Sequence, residues 1–286
     1  VEAKEYFTDI NDKIINYSYT DKTDDSIVLA FDKSNSDNRK SWLLLYDNNK
    51  ILEYDKKNIT YSEFIDLELI HFSNQDNIRS LPSVIDGLKP SHRKILYGSF
   101  LRGLDKDEIK VSQLAGFVSD KAAYHHGEAS LNSAIVGMAQ NFVGSNNIHL
   151  LMPNGQFGTR LQGGKDSASE RYIFTQLNKI TRYIFPETDD NILTYLNDDG
   201  LLVEPIFYAP IIPMVLVNGS KGIGTGFSTD IMCYNPSQII QYLKNKLTSS
   251  SSDFGVTEFT PYYEGFKGTI QKISEEGKYL FKGKST

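Results

Sequence analysis

The chain has 286 residues, a formal net charge of −6 and one cysteine, Cys233. That length allows one large or two small domains with a sizeable core, and a single thiol excludes both an internal disulfide and a cysteine-rich zinc site. No apolar run approaches the ~20 residues of a membrane span and Val-Glu-Ala-Lys-Glu lacks the order of a secretory signal, so the composition predicts a soluble cytosolic or nuclear protein with no membrane partner.

In chain order, Ser26–Phe31 reads as strand-like, residues 32–46 as an amphipathic helix ending in Trp42, Leu44 and Leu45, and residues 61–72 as a second helix with Phe64, Ile65, Leu67 and Ile70 on its apolar stripe. From Lys89 the signals sharpen: Pro90 suits a first helical turn, Ile95, Leu96 and Phe100 recur at helical spacing, and Gly103 ends the run. Two further helical patterns follow at Val111–Val118 and Ser130–Val143, the latter with Leu131, Ile135, Met138 and Phe142 on its inner face. Three short helices with tight turns, one of them basic, fit a helix-turn-helix domain, although a ligand-free three-helix core has the same periodicity. A helix is expected to continue past Thr175 through Leu177, Ile180 and Ile184 to Pro186. The proline-punctuated run Val203–Val217 predicts a buried irregular strand, and Asn218-Gly219 a tight turn. A helix opens at Asn235-Pro236, Ser249–Ser252 form a flexible link, and Phe266–Phe281 is β-like.

An acidic balance argues against nucleic-acid binding, which requires a basic footprint. Residues 77–102 reverse that balance, with Arg79, Lys89, His92, Arg93, Lys94 and Arg102 against the single acid Asp86. A solvated helix face is the commoner fate of such a cluster.

The most informative stretch is Gly163-Gly-Lys-Asp-Ser-Ala-Ser-Glu-Arg-Tyr-Ile-Phe-Thr175, which sets Tyr172 beside Arg171 in a loop dense with phosphate-binding groups. An ordinary phenol titrates near ~10, so a nucleophilic tyrosine needs cationic neighbours or a metal-assisted phosphate. Arg171, Lys165 and Arg160 offer the charge. Taken alone, an Arg-Tyr pair is more often a packed Tyr beside a solvated Arg. Adjacent His125 and His126 make a poor metal site, since neighbours in sequence rarely point at one ion and no third ligand of suitable spacing follows. Gly222-Ile-Gly-Thr-Gly226 lacks the Gly-Lys-Ser/Thr ending of a nucleotide loop.

Three segments read together carry a resemblance: Asn77–Lys94, with Arg79, Asp86, Lys89 and Arg93; Ala123-Tyr-His-His-Gly-Glu-Ala-Ser130; and Gly155-Gln-Phe-Gly-Thr-Arg160 on to Arg171-Tyr172. They resemble the breakage-reunion region of type IIA DNA topoisomerases of the eukaryotic kind, which large DNA viruses also encode. The resemblance covers nearly the whole chain and is densest over 77–228. It implies an α+β fold: an N-terminal α/β tail over 1–70 that follows a metal-binding domain, a winged-helix domain over 71–200, and the start of a tower-like α/β domain over 201–286.

The resemblance also implies roles. Tyr172 attacks a DNA phosphodiester to form a 5′-phosphotyrosyl bond, and Arg171 stabilises charge on the non-bridging oxygens. His126 hydrogen-bonds the same phosphate or the phenol. Arg79, Lys89, Arg93, Tyr124 and Lys165 contact DNA, while Asp86 orients Lys89 or Arg93. Ile223 wedges between base pairs and bends the duplex. Glu170 departs from the small residue or proline that relatives often carry there. Double-stranded DNA is the expected partner and a homodimer the working form, located in the nucleus or at a viral replication site. Mg²⁺ would be held by an acidic domain that these residues do not include, and ATP by another, so the chain is expected to bind DNA without cleaving it. The competing reading is a non-catalytic DNA-binding or assembly module; a protein-only structural domain is a third, and it would show no salt-dependent DNA binding.

Overall fold

A computed structural model describes residues 2–8, 10–53, 55–248, 258–274 and 277–284. The chain divides into two compact units, one of Val1–Leu81 with Gly222–Ser228 and the other of Pro82–Lys221 with Thr229–Thr286.

In the first unit, α1 (Glu2–Thr8) and α2 (Ile10–Lys13) precede β1 (Asn16–Ser18), which pairs in parallel with β2 (Asn58–Thr60). Residues 26–31, expected as strand, belong to α3 (Thr23–Phe31). The β-branched Ile27 and Val28 suggest a strand, but Asp24 and Asp25 sit in the first helical turn, where they favour the positive end of the helix dipole. Leu29 and Ala30 then pack against the small core of Trp42, Leu43, Ile65 and Ile70. Trp42 lies on α4 (Ser36–Leu43) and donates its indole N–H to Asp66 at 3.0 Å. Thr60 and Glu63 form a capping box that starts α5 (Tyr61–Phe64). The helix continues through a π turn at Ile65–Leu69 into α6 (Ile70–Ser80). An unbroken run of helical backbone crosses residue 70, and the compact unit ends at Leu81.

The second unit is built on α7 (Pro90–Arg102), α8 (Val111–Lys121) and α9 (Glu128–Ala139), which pack on one another. Their inner faces bury Ile95, Leu96, Val111, Leu114, Val118, Leu131 and Ile135 at or near zero exposure. Pro90 occupies the first turn of α7, and Gly103 closes the helix at φ 66°, a left-handed conformation that glycine adopts without steric cost. The helix expected beyond Thr175 is absent over most of its length. Instead β4 (Phe174–Thr175) pairs antiparallel with β3 (Ile109–Lys110), Leu177 bridges Leu151, and only α10 (Thr181–Ile184) is helical.

A hairpin of β5 (Tyr195–Asp198) and β6 (Leu201–Pro205) follows. The apolar run Val203–Val217 is a strand only at its start, through Pro205; it continues as irregular backbone into α11 (Met214–Val217). Next come β7 (Ser220–Ile223) and β8 (Ser228–Ile231), then α12 (Pro236–Thr248), and finally the antiparallel pair β9 (Gly268–Lys272) and β10 (Tyr279–Gly283). Ile212, Met214, Val217 and Ile239 share one core with Ile95 and Leu114. The serine link at 249–252 lies outside the described residues. No described helix is long and apolar enough to cross a membrane.

Candidate functional site

Tyr172 sits on a turn whose backbone is held from several directions. Its amide donates to Ser169 O at 2.9 Å, Ser112 N donates to Glu170 O at 3.2 Å, and Val111 N donates to Ile173 O at 3.1 Å. Ile173 is buried and acts as the anchor, which leaves Tyr172 pointing outward at 76% exposure. Arg171 is exposed beside it. The preceding loop is equally constrained: Thr159 donates through N and Oγ1 to the two carboxylate oxygens of Asp166, at 2.8 and 2.7 Å. Gly158 and Gly164 approach so closely that a Cβ on Gly158 would lie 2.6 Å from Gly164 Cα. Gln140, following α9, donates to Phe157 O and Gly164 O at 2.8 and 3.2 Å, stitching the loop to the helix end. Glu170 accepts from Ser169 Oγ at 3.3 Å, and no ion pair joins it to Arg171 among the described residues.

The Tyr-His-His-Gly-Glu motif forms the bend between α8 and α9. Ala123 has φ 46°, rare for a residue with a Cβ, and Tyr124 returns its amide to Ser119 O at 3.2 Å. The rings of Tyr124 and His126 meet edge to face at 5.4 Å, and His126 is exposed. Glu128, the last motif residue, opens α9 and lines a cleft of about 700 Å³ together with Asn132, Lys165, Glu170 and Arg171. The structure thus brings Glu128, Lys165 and Arg171 to one cleft, of mixed charge and with Glu128 and Glu170 on its walls, while Tyr124, His126 and Tyr172 lie outside its lining.

The basic segment is less basic than its sequence. Arg93 is 6% exposed; its Nε donates to Asp86 Oδ2 at 2.9 Å, and Nη2 donates to Asp86 Oδ1 at 3.3 Å and Leu88 O at 3.1 Å. That geometry turns the Arg93 guanidinium inward, onto the Asp86 carboxylate and Leu88 O. Lys94 pairs with buried Glu204 at 2.9 Å, Arg102 lies over the Phe117 ring, and Arg79 pairs with Asp76 at 3.0 Å while remaining half exposed. Lys89 makes no ion pair among the described residues.

His92 adds no charge at neutral pH. Burial, then Lys89, then Arg93 push its imidazole down to about 4 from the ordinary 6.5. A base whose folded pKa lies below its unfolded value contributes stability above about 6.5, and that stability is lost as pH falls from there toward about 4. Between pH 7 and pH 4.5, urea unfolding of the chain should lose about 1–3 kcal/mol more than unfolding of His92→Gln, which cannot titrate. Equal losses in the two proteins would contradict this.

Ile223 is 83% exposed at the end of β7. The backbone around it is fixed: Asn77 Nδ2 donates to Thr225 O at 3.1 Å, Gly224 N donates to Phe227 O at 2.9 Å, and a Cβ on Gly224 would collide with Asn77 Oδ1. An aliphatic side chain held rigidly in solvent has no packing role within its unit.

Some contributors escaped the sequence reading. Gln140, Glu204 and Asp198, the last accepting from His125, all act through partners far away in the chain, and no local motif marks them.

Comparison with known proteins accords with the resemblance. A family model described as DNA gyrase/topoisomerase IV matches residues 79–286, and one described as the C-terminal associated domain of TOPRIM matches residues 1–77. The chain therefore belongs to the type IIA DNA topoisomerase family. Within it, similar proteins are eukaryotic: "DNA topoisomerase 2, mitochondrial" of Dictyostelium discoideum is 53% identical over 94% of the chain and 21% of its own length. DNA topoisomerase 2 of Saccharomyces cerevisiae is 50% identical over 95% of the chain and 19% of its own length. A crystal structure of the Plasmodium falciparum topoisomerase II DNA-binding, cleavage and re-ligation domain superposes with a TM-score of 0.78 at 45% identity, over 96% of this chain and 37% of that one. The chain spans about a fifth of the length of these curated relatives.

Proposed function

We propose that this chain is the tyrosine-bearing DNA breakage-reunion part of a type II DNA topoisomerase, an isomerase of DNA topology. The observation that carries this reading is the outward Tyr172 next to exposed Arg171, on a turn whose backbone is fixed on both sides. In the reaction the Tyr172 oxygen, having lost its proton, attacks a DNA phosphorus. The bond to the deoxyribose 3′-oxygen breaks, that oxygen gains a proton, and a 5′-phosphotyrosyl ester remains. Religation is the reverse. Arg171 supplies a fixed guanidinium where charge grows on the phosphate oxygens, and His126 donates to the same phosphate or to the phenol.

The bundle α7–α8–α9 with the β3–β4 pair is read as a winged-helix domain, which would present Lys89, Tyr124 and Lys165 to phosphates. In that reading Arg93 shapes the domain from inside, and Arg79 contributes from the first unit. Ile223 is read as the wedge that unstacks one base step. The whole enzyme is a homodimer, each copy cutting one strand, with ATP used elsewhere in the protein. Among the described residues no group of three or more His, Cys, Asp or Glu is arranged for a metal ion. As the family resemblance implies, Mg²⁺ is assigned to an acidic domain of the whole enzyme.

Two assays test the reading on the purified chain. It should bind duplex DNA with an affinity that falls steeply with salt, and form no covalent adduct in Mg²⁺. Ile223→Ala should reduce DNA bending in a fluorescence energy-transfer assay while changing folding stability by no more than about 0.5 kcal/mol. Salt-independent or absent binding would favour a protein-only scaffold, and an adduct formed by the chain alone would refute the division of labour with the metal domain.

A further inference from the structure

The α8–α9 bend carrying Tyr124 and His126 is held by the β5–β6 hairpin, which contributes no residue to the motifs. Two of its carboxylates reach the bend. Glu204 on β6 pairs with Lys94, whose ammonium also donates to Ala122 O at the start of the bend. Asp198, at the end of β5, accepts from His125 Nε2 through Oδ2 at 2.8 Å. Tyr97 of α7 donates its hydroxyl to Leu202 O at 3.1 Å, fixing the hairpin to the helices. The turn that aims Asp198 is tight: Asp199 has φ 49°, and Gly200 N donates to Asn197 Oδ1 at 2.8 Å.

The two contacts differ in kind. Glu204 is buried and Lys94 nearly so, as expected of a structural strut. His125 is 75% exposed and Asp198 34%. A pair that open to water contributes little to folding, shifting an equilibrium by about fivefold at most. Its effect falls on the conformation of a bend that already carries a rare backbone torsion at Ala123 and has Tyr124 packed on His126.

We propose that Asp198 is a positioning residue: by holding His125 it fixes the backbone on which Tyr124 and His126 meet the scissile phosphate. The proposal rests on the functional reading above. Asp198 touches neither DNA nor the reacting atoms, and acts only through His125.

The test is a double-mutant cycle in the whole enzyme, with the rate of covalent adduct formation on nicked DNA as readout. Asp198→Ala and His125→Ala should each slow adduct formation by about fivefold, and the double variant should be no slower than either. Asp198→Asn, whose amide oxygen still accepts from His125, should recover most of the rate. In the 286-residue chain without DNA, Asp198→Ala should shift the backbone amide resonances of residues 123–127 while leaving the melting temperature within about 2 °C. Additive losses, a rate unchanged by Asp198→Ala, unmoved resonances, or an Asp198→Asn as slow as Asp198→Ala would each overturn the assignment. Failure of the functional reading is recognised separately: the resonance shifts would then appear although Tyr172→Phe still forms the adduct.

Discussion

Replacing Tyr172 by Phe should abolish DNA cleavage in the whole enzyme, lowering covalent adduct formation by at least about 10³-fold, while duplex affinity and melting temperature stay unchanged. The size of the effect follows from the nucleophile role proposed for the residue: the phenyl ring left behind has no attacking atom, so the loss is of a reaction route rather than of one stabilising contact. The selectivity follows from the structure. Tyr172 is 76% exposed, its backbone bond to Ser169 O survives the change, and its hydroxyl makes no hydrogen bond among the described residues. Removing one oxygen there disturbs neither packing nor hydrogen bonding. Arg171→Lys should cleave at a rate between those of the unsubstituted enzyme and Tyr172→Phe, because a lysine keeps the charge but loses the planar fork that matches phosphate. A Tyr172→Phe enzyme that still cleaves would remove the nucleophile from this position.

The second large effect is on stability. Asp86 is fully buried and accepts four hydrogen bonds: from Leu88 N at 2.9 Å, from Tyr208 N at 2.9 Å, and from Arg93 Nε and Nη2. Asp86→Ala strands the Arg93 guanidinium without a counter-charge and leaves two buried amides unpaired. Breaking a buried pair from one side costs about 3–5 kcal/mol, which for a unit of this size lowers the melting temperature by roughly 6–20 °C. Replacing both partners by apolar residues, Asp86→Leu with Arg93→Met, should cost less than Asp86→Ala, because no uncompensated charge remains. Thermal unfolding of the two variants checks the order. If Arg93→Ala instead weakened DNA binding with no loss of stability, Arg93 would be a surface contact after all.

The parts of the fold that were legible in the sequence are those set by neighbours in the chain. Pro90 and Gly103 bracket α7 through a restricted φ at one end and a left-handed one at the other, and Pro236 opens α12 in the same way. Where distant pairing decides, local periodicity misleads. Phe174, Leu177, Ile180 and Ile184 have helical spacing, but Phe174 pairs with Lys110 and Leu177 with Leu151, partners that no window along the sequence contains. Ile27 and Val28 argue for a strand until α3 is seen to pack Leu29 and Ala30 against Trp42 and its neighbours.

The candidate site divides the same way. Arg171-Tyr172 and the Tyr-His-His-Gly-Glu run are contiguous, so their side chains could be named directly. Counting charges over residues 77–102 overstated the basic face, because Asp86 neutralises Arg93 from within the segment and Glu204 reaches Lys94 from far along the chain. Asp198 was invisible for a related reason: it has meaning only once β5 is folded beside His125.

The central claim, that Tyr172 is the nucleophile in DNA cleavage, is tested most directly by trapping the covalent complex of the whole enzyme with Mg²⁺, digesting both partners, and sequencing the nucleotide-bearing peptide by mass spectrometry. The modified residue should be Tyr172, joined through its phenolic oxygen to a 5′-phosphate. A nucleotide on any other side chain, or a 3′-phosphate linkage, would contradict it.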